Sequence, residues 1–243
     1  MSITKVYSDI EQLSLAAASL LADKICQAVQ SRGRCNIVLA GGETPQLTYR
    51  LLSEKPYCNT IPWQQVHVYW GDERCVSPSD KLSNQYTARQ SLLNHILIPA
   101  ENIHPIVYEG SPKGAAENYE KLLRSTFGSQ MPQFDLILLG LGDDGHTASL
   151  FPNTDVLSIQ EDWVSHVYIK EQNMHRVTLT FPVLNQAKFI AFLITGAKKA
   201  HIVQKVVEGT LDDKSLPAQF IKPVNGELYW LIGRDAARLL QSR

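Results

Sequence analysis

The segment with the clearest potential for chemistry is a polar loop that follows an apolar run near the middle of the chain. Residues 134–139 are nearly all apolar and predict a buried parallel strand, and residues 140–151 then hold three glycines, two aspartates and one histidine. Open α/β sheets bind ligands at the carboxyl ends of their strands, which is where this loop falls. His146 can exchange a proton near neutral pH, and Asp144 can orient its imidazole ring. The segment therefore predicts a general base at the edge of a sheet.

Three glycines of this loop have the spacing of a dinucleotide-binding fingerprint: Gly140, Gly142 and Gly145. That fingerprint requires a long helix directly after the glycines, and Pro152 ends any helix within seven residues of Gly145. We therefore interpret the glycines, Gly145 included, as allowing the backbone to approach a small ligand closely. The competing structural interpretation is that Asp144 and His146 only cap a short helix over 147–151.

A second candidate site, for an anion, is the turn at residues 41–45 between a predicted strand and a predicted helix. Gly41 and Gly42 leave backbone N–H groups free at the start of the helix, where the helix dipole favours a phosphate or an oxyanion. Thr44 is predicted to be the N-cap, with Pro45 in the first helical turn. An ordinary βα turn without a ligand is equally compatible with this segment alone.

Three cationic side chains stand at the ends of predicted elements, where they can reach a phosphate. Arg74 follows a strand, and a guanidinium binds phosphate or carboxylate in a bidentate manner. Arg176 stands at the start of a strand, and Lys199 stands at the start of a helix, where its charge opposes the helix dipole unless an anion is bound. A surface salt bridge with Asp72 or Glu73 is the alternative for Arg74.

Composition limits the classes of protein that the chain can represent. With 243 residues, 44% of them hydrophobic, residues 1–243 suit a single α/β domain. The formal net charge is −1 and no basic run is present, which argues against nucleic-acid binding. The four cysteines lack a C-x-x-C spacing, so we expect neither a zinc site nor a disulfide framework, and a reducing cytoplasm fits best. No signal segment and no apolar run of membrane-spanning length is apparent.

Predicted strands alternate with predicted helices along the chain. This alternation is typical of an α/β fold with a mostly parallel sheet that helices cover on both faces. Besides a short C-terminal helix, the predicted helices cover residues 8–31 (capped by Ser8 or Asp9), 44–52, 83–96, 113–127 and 197–208. The predicted strands cover residues 36–40, 66–70, 103–107, 134–139, 163–169, 175–180, 188–194 and 227–232.

Read in order, these motifs resemble those of the 6-phosphogluconolactonase family. The resemblance runs from about residue 8 to residue 240, and its two most specific segments are 71–74 (Gly-Asp-Glu-Arg) and 144–152. Less specific matches are residues 39–45, 83–84, 175–180, 195–200 and 216–218. The family has a Rossmann-like α/β fold related to that of the glucosamine-6-phosphate deaminases, and the resemblance implies the same fold for this chain.

The deaminases are the closest alternative within this resemblance. Their histidine is followed by a short segment that ends in Asn-Glu-Pro and supplies a catalytic glutamate, whereas residues 150–152 here are Leu-Phe-Pro. The deaminases also carry Asp-Glu-Tyr where residues 72–74 here are Asp-Glu-Arg. Both departures favour a lactonase over a deaminase. Glu43 departs from the commoner lactonase turn, which has a small polar residue at this position.

The resemblance implies hydrolysis of 6-phospho-D-glucono-1,5-lactone to 6-phospho-D-gluconate, the second step of the oxidative pentose phosphate pathway. Such a reaction needs a positioned water, a base and stabilisation of charge, so we expect neither a cofactor nor a metal. His146 is the implied base, with Asp144 orienting its ring. The N–H groups of Gly41 and Gly42, or a nearby cation, are expected to hold the oxyanion.

The remaining site residues implied by the resemblance bind the substrate, a small phosphorylated sugar lactone. Arg74, Arg176 and Lys199 are the candidates for the phosphate and for charge on the intermediate, and Arg74 is counted among the catalytic residues. Asp72 and Asn84 are expected to hold sugar hydroxyls or the Arg74 side chain. We expect a cytoplasmic monomer or small homo-oligomer. The alternative functions are a sugar-phosphate isomerase or deaminase, and a non-catalytic sugar-phosphate sensor.

Overall fold

The main sheet of the protein has seven strands, and every neighbouring pair in it is parallel. The computed structural model describes residues 2–211 and 215–241. A second sheet within these ranges has three antiparallel strands. In chain order the strands are β1 (Ser2–Tyr7), β2 (Cys35–Leu39), β3 (Val66–Trp70), β4 (Asp72–Arg74), β5 (Ile103–His104), β6 (Leu136–Leu139), β7 (Val164–Ile169), β8 (Met174–Leu179), β9 (Phe189–Ile194) and β10 (Glu227–Gly233).

The α-helices connect these strands and cover the main sheet. In chain order they are α1 (Ile10–Arg32), α2 (Glu43–Ser53), α3 (Tyr57–Thr60), α4 (Asn84–Ser91), α5 (Pro112–Phe127), α6 (Phe181–Leu184) and α7 (Ala200–Glu208). Strands β2, β6 and β9 are buried along their whole length, which requires cover on both faces of the sheet. In the ranges that the structure describes, no helix is both long and apolar enough to cross a membrane.

The strand order of the main sheet brings the predicted site loops together. The order is β1-β10-β9-β6-β2-β3-β5, so β6 lies between β2 and β9. Because these strands are parallel, their carboxyl ends meet at one edge. The loop with His146 follows β6, the glycine turn follows β2, and the segment with Lys199 follows β9. The predicted α/β fold with a mostly parallel sheet is therefore confirmed.

Two predicted strands do not belong to the parallel sheet, which corrects their expected placement. Strands β7 and β8 form an antiparallel hairpin that is joined by a single turn at residues 170–173, and β4 pairs with the other side of β8. A parallel connection needs a crossover of about a dozen residues or more, and this turn is far shorter. Asn173 takes the left-handed conformation (φ 46°) that such a tight turn requires.

Helix α1 forms as its sequence predicts and sits against the main sheet. The Asp9 carboxylate caps it by accepting a hydrogen bond from the Gln12 backbone N–H at 2.8 Å. Gly33 ends it in the left-handed conformation, and its N–H donates to the Val29 carbonyl. The buried stripe contains Leu13, Ala17, Leu21, Ile25 and Ala28, at the expected helical spacing.

Several element ends differ from the predictions. The N-cap of α2 is Gly42, two residues before the predicted N-cap Thr44, so Thr44 lies inside the first turn. No helix forms at residues 147–151, where Thr147 and Leu150 make an isolated bridge, and residues 234–239 form turns in place of a C-terminal helix. Strand β1 is an exposed edge strand with little apolar alternation, and the sequence pattern alone did not reveal it. Strand β5 is shorter than predicted.

A pair of half-buried histidines, one on edge strand β5 and one on its neighbour β3, makes stability depend on pH. Nδ1 of His67 lies 3.2 Å from Nε2 of His104, whose ring stacks on Tyr69. Burial, His67 and Arg34 lower the pKa of His104 to about 4. An unfolded histidine titrates near pH 6.5, so between about pH 6.5 and 4 the unfolded chain binds more protons. We expect the free energy of unfolding to be highest above pH 6.5 and to fall as the pH decreases toward 4.

The measurement is thermal unfolding of the protein and of His104→Gln across this pH window. The variant lacks the titrating ring, so its unfolding temperature should depend less steeply on pH. His201→Gln is the matched control because His201 is exposed on α7, and its pH dependence should follow that of the wild type. An identical pH dependence in His104→Gln and the wild type would contradict the assignment.

Candidate active site

A cleft of about 420 Å³ opens at the carboxyl edge of the main sheet, where the segments after β2, β3, β6 and β9 meet. Two of the predicted site residues, Asp144 and Gly145, do not line its wall. The other nine do: Gly41, Gly42, Thr44, Asp72, Arg74, Asn84, His146, Arg176 and Lys199. Residues from six separate parts of the sequence therefore share one cavity.

His146 and Asp144 form the hydrogen-bonded pair that the sequence predicted. Nδ1 of His146 lies 2.5 Å from Oδ1 of Asp144, and the His146 backbone N–H donates to the same oxygen at 3.0 Å. The imidazole also stacks on the Phe151 ring, with 3.9 Å between the centroids. Burial by itself raises the pKa of Asp144, but the hydrogen bonds from His146 outweigh it and leave the pKa below its ordinary value. An ionised Asp144 thus holds Nδ1 and leaves Nε2 available at the cleft.

Gly142 is required for this pair because the imidazole occupies the space of a side chain at that position. A Cβ atom on Gly142 would lie 2.0 Å from Nδ1 of His146 and 2.8 Å from Oδ1 of Asp144. The loop is closed by a hydrogen bond from the Gly142 N–H to the His146 carbonyl at 2.9 Å. Among the loop's glycines, this one therefore positions the base.

Gly145 lies away from the cleft wall and supports the conformation of the loop. It is buried with φ +85°, and an added Cβ would lie 2.7 Å from Cδ2 of Leu216. Its carbonyl accepts a hydrogen bond from the Ala218 N–H at 3.0 Å. The segment at 216–218, which belongs to the family motifs, thus packs against the loop that carries His146.

Arg74 and Arg176 lie directly opposite each other across the β4–β8 ladder. The Arg176 side chain is only 9% exposed, and burial lowers its pKa while the charge of Asp72 counteracts this. In both arginines Nε is buried and has no hydrogen-bond partner among the residues that the structure describes. Like charges that face each other across a ladder are unfavourable. An anion bound between or beside the two guanidinium groups would relieve the repulsion.

Each arginine is held by contacts that leave part of its guanidinium free. Nη1 of Arg176 lies 3.5 Å from Oδ2 of Asp72, and Nη2 donates to the Gln172 side chain at 2.5 Å. Nη1 of Arg74 donates to the Leu82 carbonyl at 2.5 Å. Within residues 2–211 and 215–241, Arg74 forms no ion pair with Asp72 or Glu73, so the salt bridge considered from the sequence is absent.

The Asp72 carboxylate contacts residues from several segments of the site. Its Oδ2 accepts a hydrogen bond from the Ser149 hydroxyl at 2.6 Å, and its Oδ1 accepts one from the Asn84 amide at 3.1 Å. Together with the Arg176 contact, both oxygens are occupied. The expected contact with the Arg74 side chain is therefore replaced by one with Arg176. Asn84 in turn covers Gly41, where an added Cβ would lie 1.8 Å from the Asn84 Oδ1.

Glu73 is a site-supporting residue that the sequence interpretation did not assign. Its buried carboxylate accepts hydrogen bonds from the backbone N–H groups of Arg74, Asn84 and Gln85 and from the Ser83 hydroxyl, at 2.7–2.9 Å. Burial raises the pKa of Glu73, although these hydrogen bonds oppose the shift. The carboxylate thus joins β4 to the start of α4 and fixes Asn84. A Ser-Asn pair some ten residues after an acidic residue is too weak a signal to predict this.

The start of α2 and the ammonium group of Lys199 make a second cationic part of the cleft. Gly42, the N-cap, has φ +101°, and no side chain caps this helix, so its first-turn N–H groups remain available. The Thr44 hydroxyl lies 2.8 Å from that of Thr195, which ties the helix start to the segment before Lys199. Nζ of Lys199 donates to the Leu141 carbonyl at 2.5 Å. Burial lowers the pKa of Lys199, while Asp143 and Glu43 raise it.

No cluster of three or more histidine, cysteine, aspartate or glutamate side chains suited to a metal ion occurs in the part of the chain that the structure describes. The four cysteines are free.

Comparison with known proteins identifies the class to which this fold and cleft belong. Residues 8–230 match the family of glucosamine-6-phosphate isomerases/6-phosphogluconolactonase, and the chain belongs to that family. The family predicted from the motifs is thus confirmed. A monomeric glucosamine-6-phosphate deaminase has the same fold, with a TM-score of 0.83, 24% identity and coverage of 98% of this chain and 99% of that one.

Within this family, the chain is similar to proteins that carry the lactonase name. A 6-phosphogluconolactonase from Nostoc sp. is 40% identical over 233 residues, which cover 93% of each sequence. The solved structure of 6-phosphogluconolactonase from Trypanosoma brucei has a TM-score of 0.87 and 28% identity, with 99% of both chains covered.

Proposed function

We propose that the protein hydrolyses 6-phospho-D-glucono-1,5-lactone to 6-phospho-D-gluconate. The observation that carries this proposal is His146, which is hydrogen-bonded to Asp144 and lines one cleft with Arg74, Arg176 and Lys199. A base beside concentrated positive charge suits the attack of water on the carbonyl of an anionic substrate. The similarity to named 6-phosphogluconolactonases supports the same reaction and its place in the oxidative pentose phosphate pathway.

His146 is the base in this proposal. The Asp144 carboxylate accepts a hydrogen bond from Nδ1–H and thereby fixes the neutral tautomer in which Nε2 has a free lone pair. Nε2 removes a proton from water as the water oxygen bonds to C1 of the lactone. The tetrahedral intermediate then breaks its bond between C1 and the ring oxygen, which takes the proton back from His146. Water and side chains suffice for these steps, so the proposed mechanism includes no metal and no cofactor.

The phosphate is proposed to lie between the start of α2 and Lys199. The free N–H groups of the first helical turn and the helix dipole attract an anion there, and the Thr44–Thr195 contact holds the two parts together. Arg74 and Arg176 supply further positive charge to the substrate and to the oxyanion. Asp72 positions Arg176, and Asn84 reaches the cleft from the start of α4.

An assay with two lactones tests this function. We expect enzyme-dependent opening of the 6-phosphorylated lactone with a kcat/KM about 10²-fold above that for glucono-1,5-lactone, since charge-assisted hydrogen bonds to the phosphate are lost in the latter. Rates are corrected for spontaneous opening. If neither lactone is opened faster than in buffer, the proposal is wrong. Release of ammonia from glucosamine 6-phosphate would instead assign the deaminase reaction.

A further inference from the structure

We propose that Glu43 sets the affinity of the cleft for phosphorylated ligands, as a negative charge that weakens phosphate binding and holds KM high. The inference rests on the proposed function for its substrate. The proposed mechanism gives Glu43 no role, since it uses only a base, cationic groups and backbone N–H groups. Its basis is the distribution of carboxylates in the cleft.

Three carboxylates line the cleft, those of Glu43, Asp72 and Asp143, and they differ in their partners. Asp72 is buried and occupied by Arg176, Ser149 and Asn84, as described above. Glu43 is exposed and, within the described ranges, has neither a hydrogen-bond partner for its carboxylate nor an ion pair closer than 4 Å. A cleft that must accept an anion therefore presents a free carboxylate to it.

The position of Glu43 makes its charge act on the phosphate. It is the first residue of α2, in the same turn as the N–H groups proposed to bind the phosphate. Lys199, the cation on the other side of this subsite, interacts electrostatically with Glu43 and with Asp143. A phosphate that enters must therefore share Lys199 with these carboxylates and be repelled by them, and like charges at a binding surface lower affinity.

The expected kinetic effect falls on binding and not on chemistry. The phosphate is unchanged by the reaction and is remote from C1, so repulsion at the phosphate acts equally on substrate, transition state and product. Such uniform binding changes KM and the dissociation constant of the product by the same factor and leaves kcat alone. A weak phosphate subsite also allows the phosphorylated product to leave readily.

A purely structural role for Glu43 makes a different prediction. An acidic residue in the first turn stabilises a helix through the helix dipole. If this were its only role, Glu43→Gln would lower the unfolding temperature slightly and leave the affinity for phosphorylated ligands unchanged. The two roles are therefore separated by a binding measurement.

The test compares Glu43→Gln with the control Glu54→Gln at low and high salt. Glu54 is exposed at the other end of α2, so the control has the same charge change on the same helix but outside the cleft. We expect Glu43→Gln to lower KM for the phosphorylated lactone, and Kd for 6-phosphogluconate and inorganic phosphate, by about three- to tenfold. The effect should shrink at high salt and be absent with glucono-1,5-lactone.

Three results decide the outcome. Unchanged KM and Kd in Glu43→Gln overturn the inference, as does an equal effect in Glu54→Gln. An effect that is as large with glucono-1,5-lactone overturns the assignment to the phosphate. If the wild type opens no lactone, the proposed function fails, and the calorimetric Kd values for phosphate and 6-phosphogluconate still decide the role of Glu43 by themselves.

Discussion

Replacement of His146 with alanine is expected to lower kcat for the phosphorylated lactone by about 10²- to 10⁴-fold, the usual contribution of a positioned general base. The unfolding temperature should change little, because the ring lies in a partly exposed loop, where it is hydrogen-bonded to Asp144 and stacks on Phe151. Initial rates corrected for spontaneous opening, together with thermal unfolding, measure both quantities. Wild-type kcat in His146→Ala would exclude this residue as the base.

Two further variants test the geometry of the base. Gly142→Ala keeps the imidazole but places a Cβ where Nδ1 of His146 lies, so we expect a loss of kcat that approaches that of His146→Ala. Asp144→Asn keeps the size of the side chain but removes the negative charge that orients Nδ1, and it should lose less activity. A Gly142→Ala enzyme with full activity would show that the pair can shift without consequence.

The same base determines the expected pH dependence. Because Asp144 has a lowered pKa, it stays ionised between about pH 5 and 8, and its own titration lies below this range. A general base acts in its unprotonated form, so kcat/KM should fall as the pH decreases. A flat profile across this range would argue against a histidine base.

Replacement of Arg176 with alanine is the second change with a large expected effect, a loss of about 10²- to 10³-fold in kcat/KM. The guanidinium brings positive charge to the wall of the cleft, and removal of one charge-stabilising donor commonly costs this much. The variant also leaves Asp72 buried without its cation, although the carboxylate keeps Ser149 and Asn84. We therefore expect a loss of about 2 kcal/mol in the free energy of unfolding.

Arg74→Ala is the matched control for this prediction because Arg74 faces Arg176 across the ladder. Arg74 forms no ion pair with Asp72, so its replacement should lower kcat/KM with little change in unfolding temperature. Arg176→Lys keeps the charge and should preserve stability better than activity, since an ammonium cannot reproduce the planar donor set. Wild-type kcat/KM in Arg176→Ala would contradict the proposed role of the pair.

Local sequence patterns predicted most elements near the site. Strand β3 matches its predicted range, α1 has its predicted cap at Asp9, and the glycine turn precedes α2 as expected. These features depend on apolar periodicity, capping and turn residues, all of which act between near neighbours. Thr44 shows the limit of such reasoning. Its hydroxyl could cap the helix locally, but it binds Thr195, which lies 151 residues away in the sequence.

The packing of the strands and helices determines which groups the charged side chains of the site contact. Asp72 contacts Arg176 in place of Arg74 because β4 pairs antiparallel with β8. The strand β8 belongs to a hairpin, and the hydrophobic pattern of the sequence does not show which sheet that hairpin joins. Similarly, the carboxylate of Glu73 can accept hydrogen bonds from the start of α4 only when β4 and α4 are packed together. Each contact depends on the register of segments that are distant along the chain.

By itself, the sequence determined the family, the parallel α/β fold, and His146 and Asp144 as a pair only two residues apart, because these follow from short-range spacing. The tertiary structure decided that Arg74 and Arg176 face each other, that Asp72 joins the segments of the site, and that Glu43 stands unpaired beside Lys199. These depend on strand order and register, which result from burying the whole core at once.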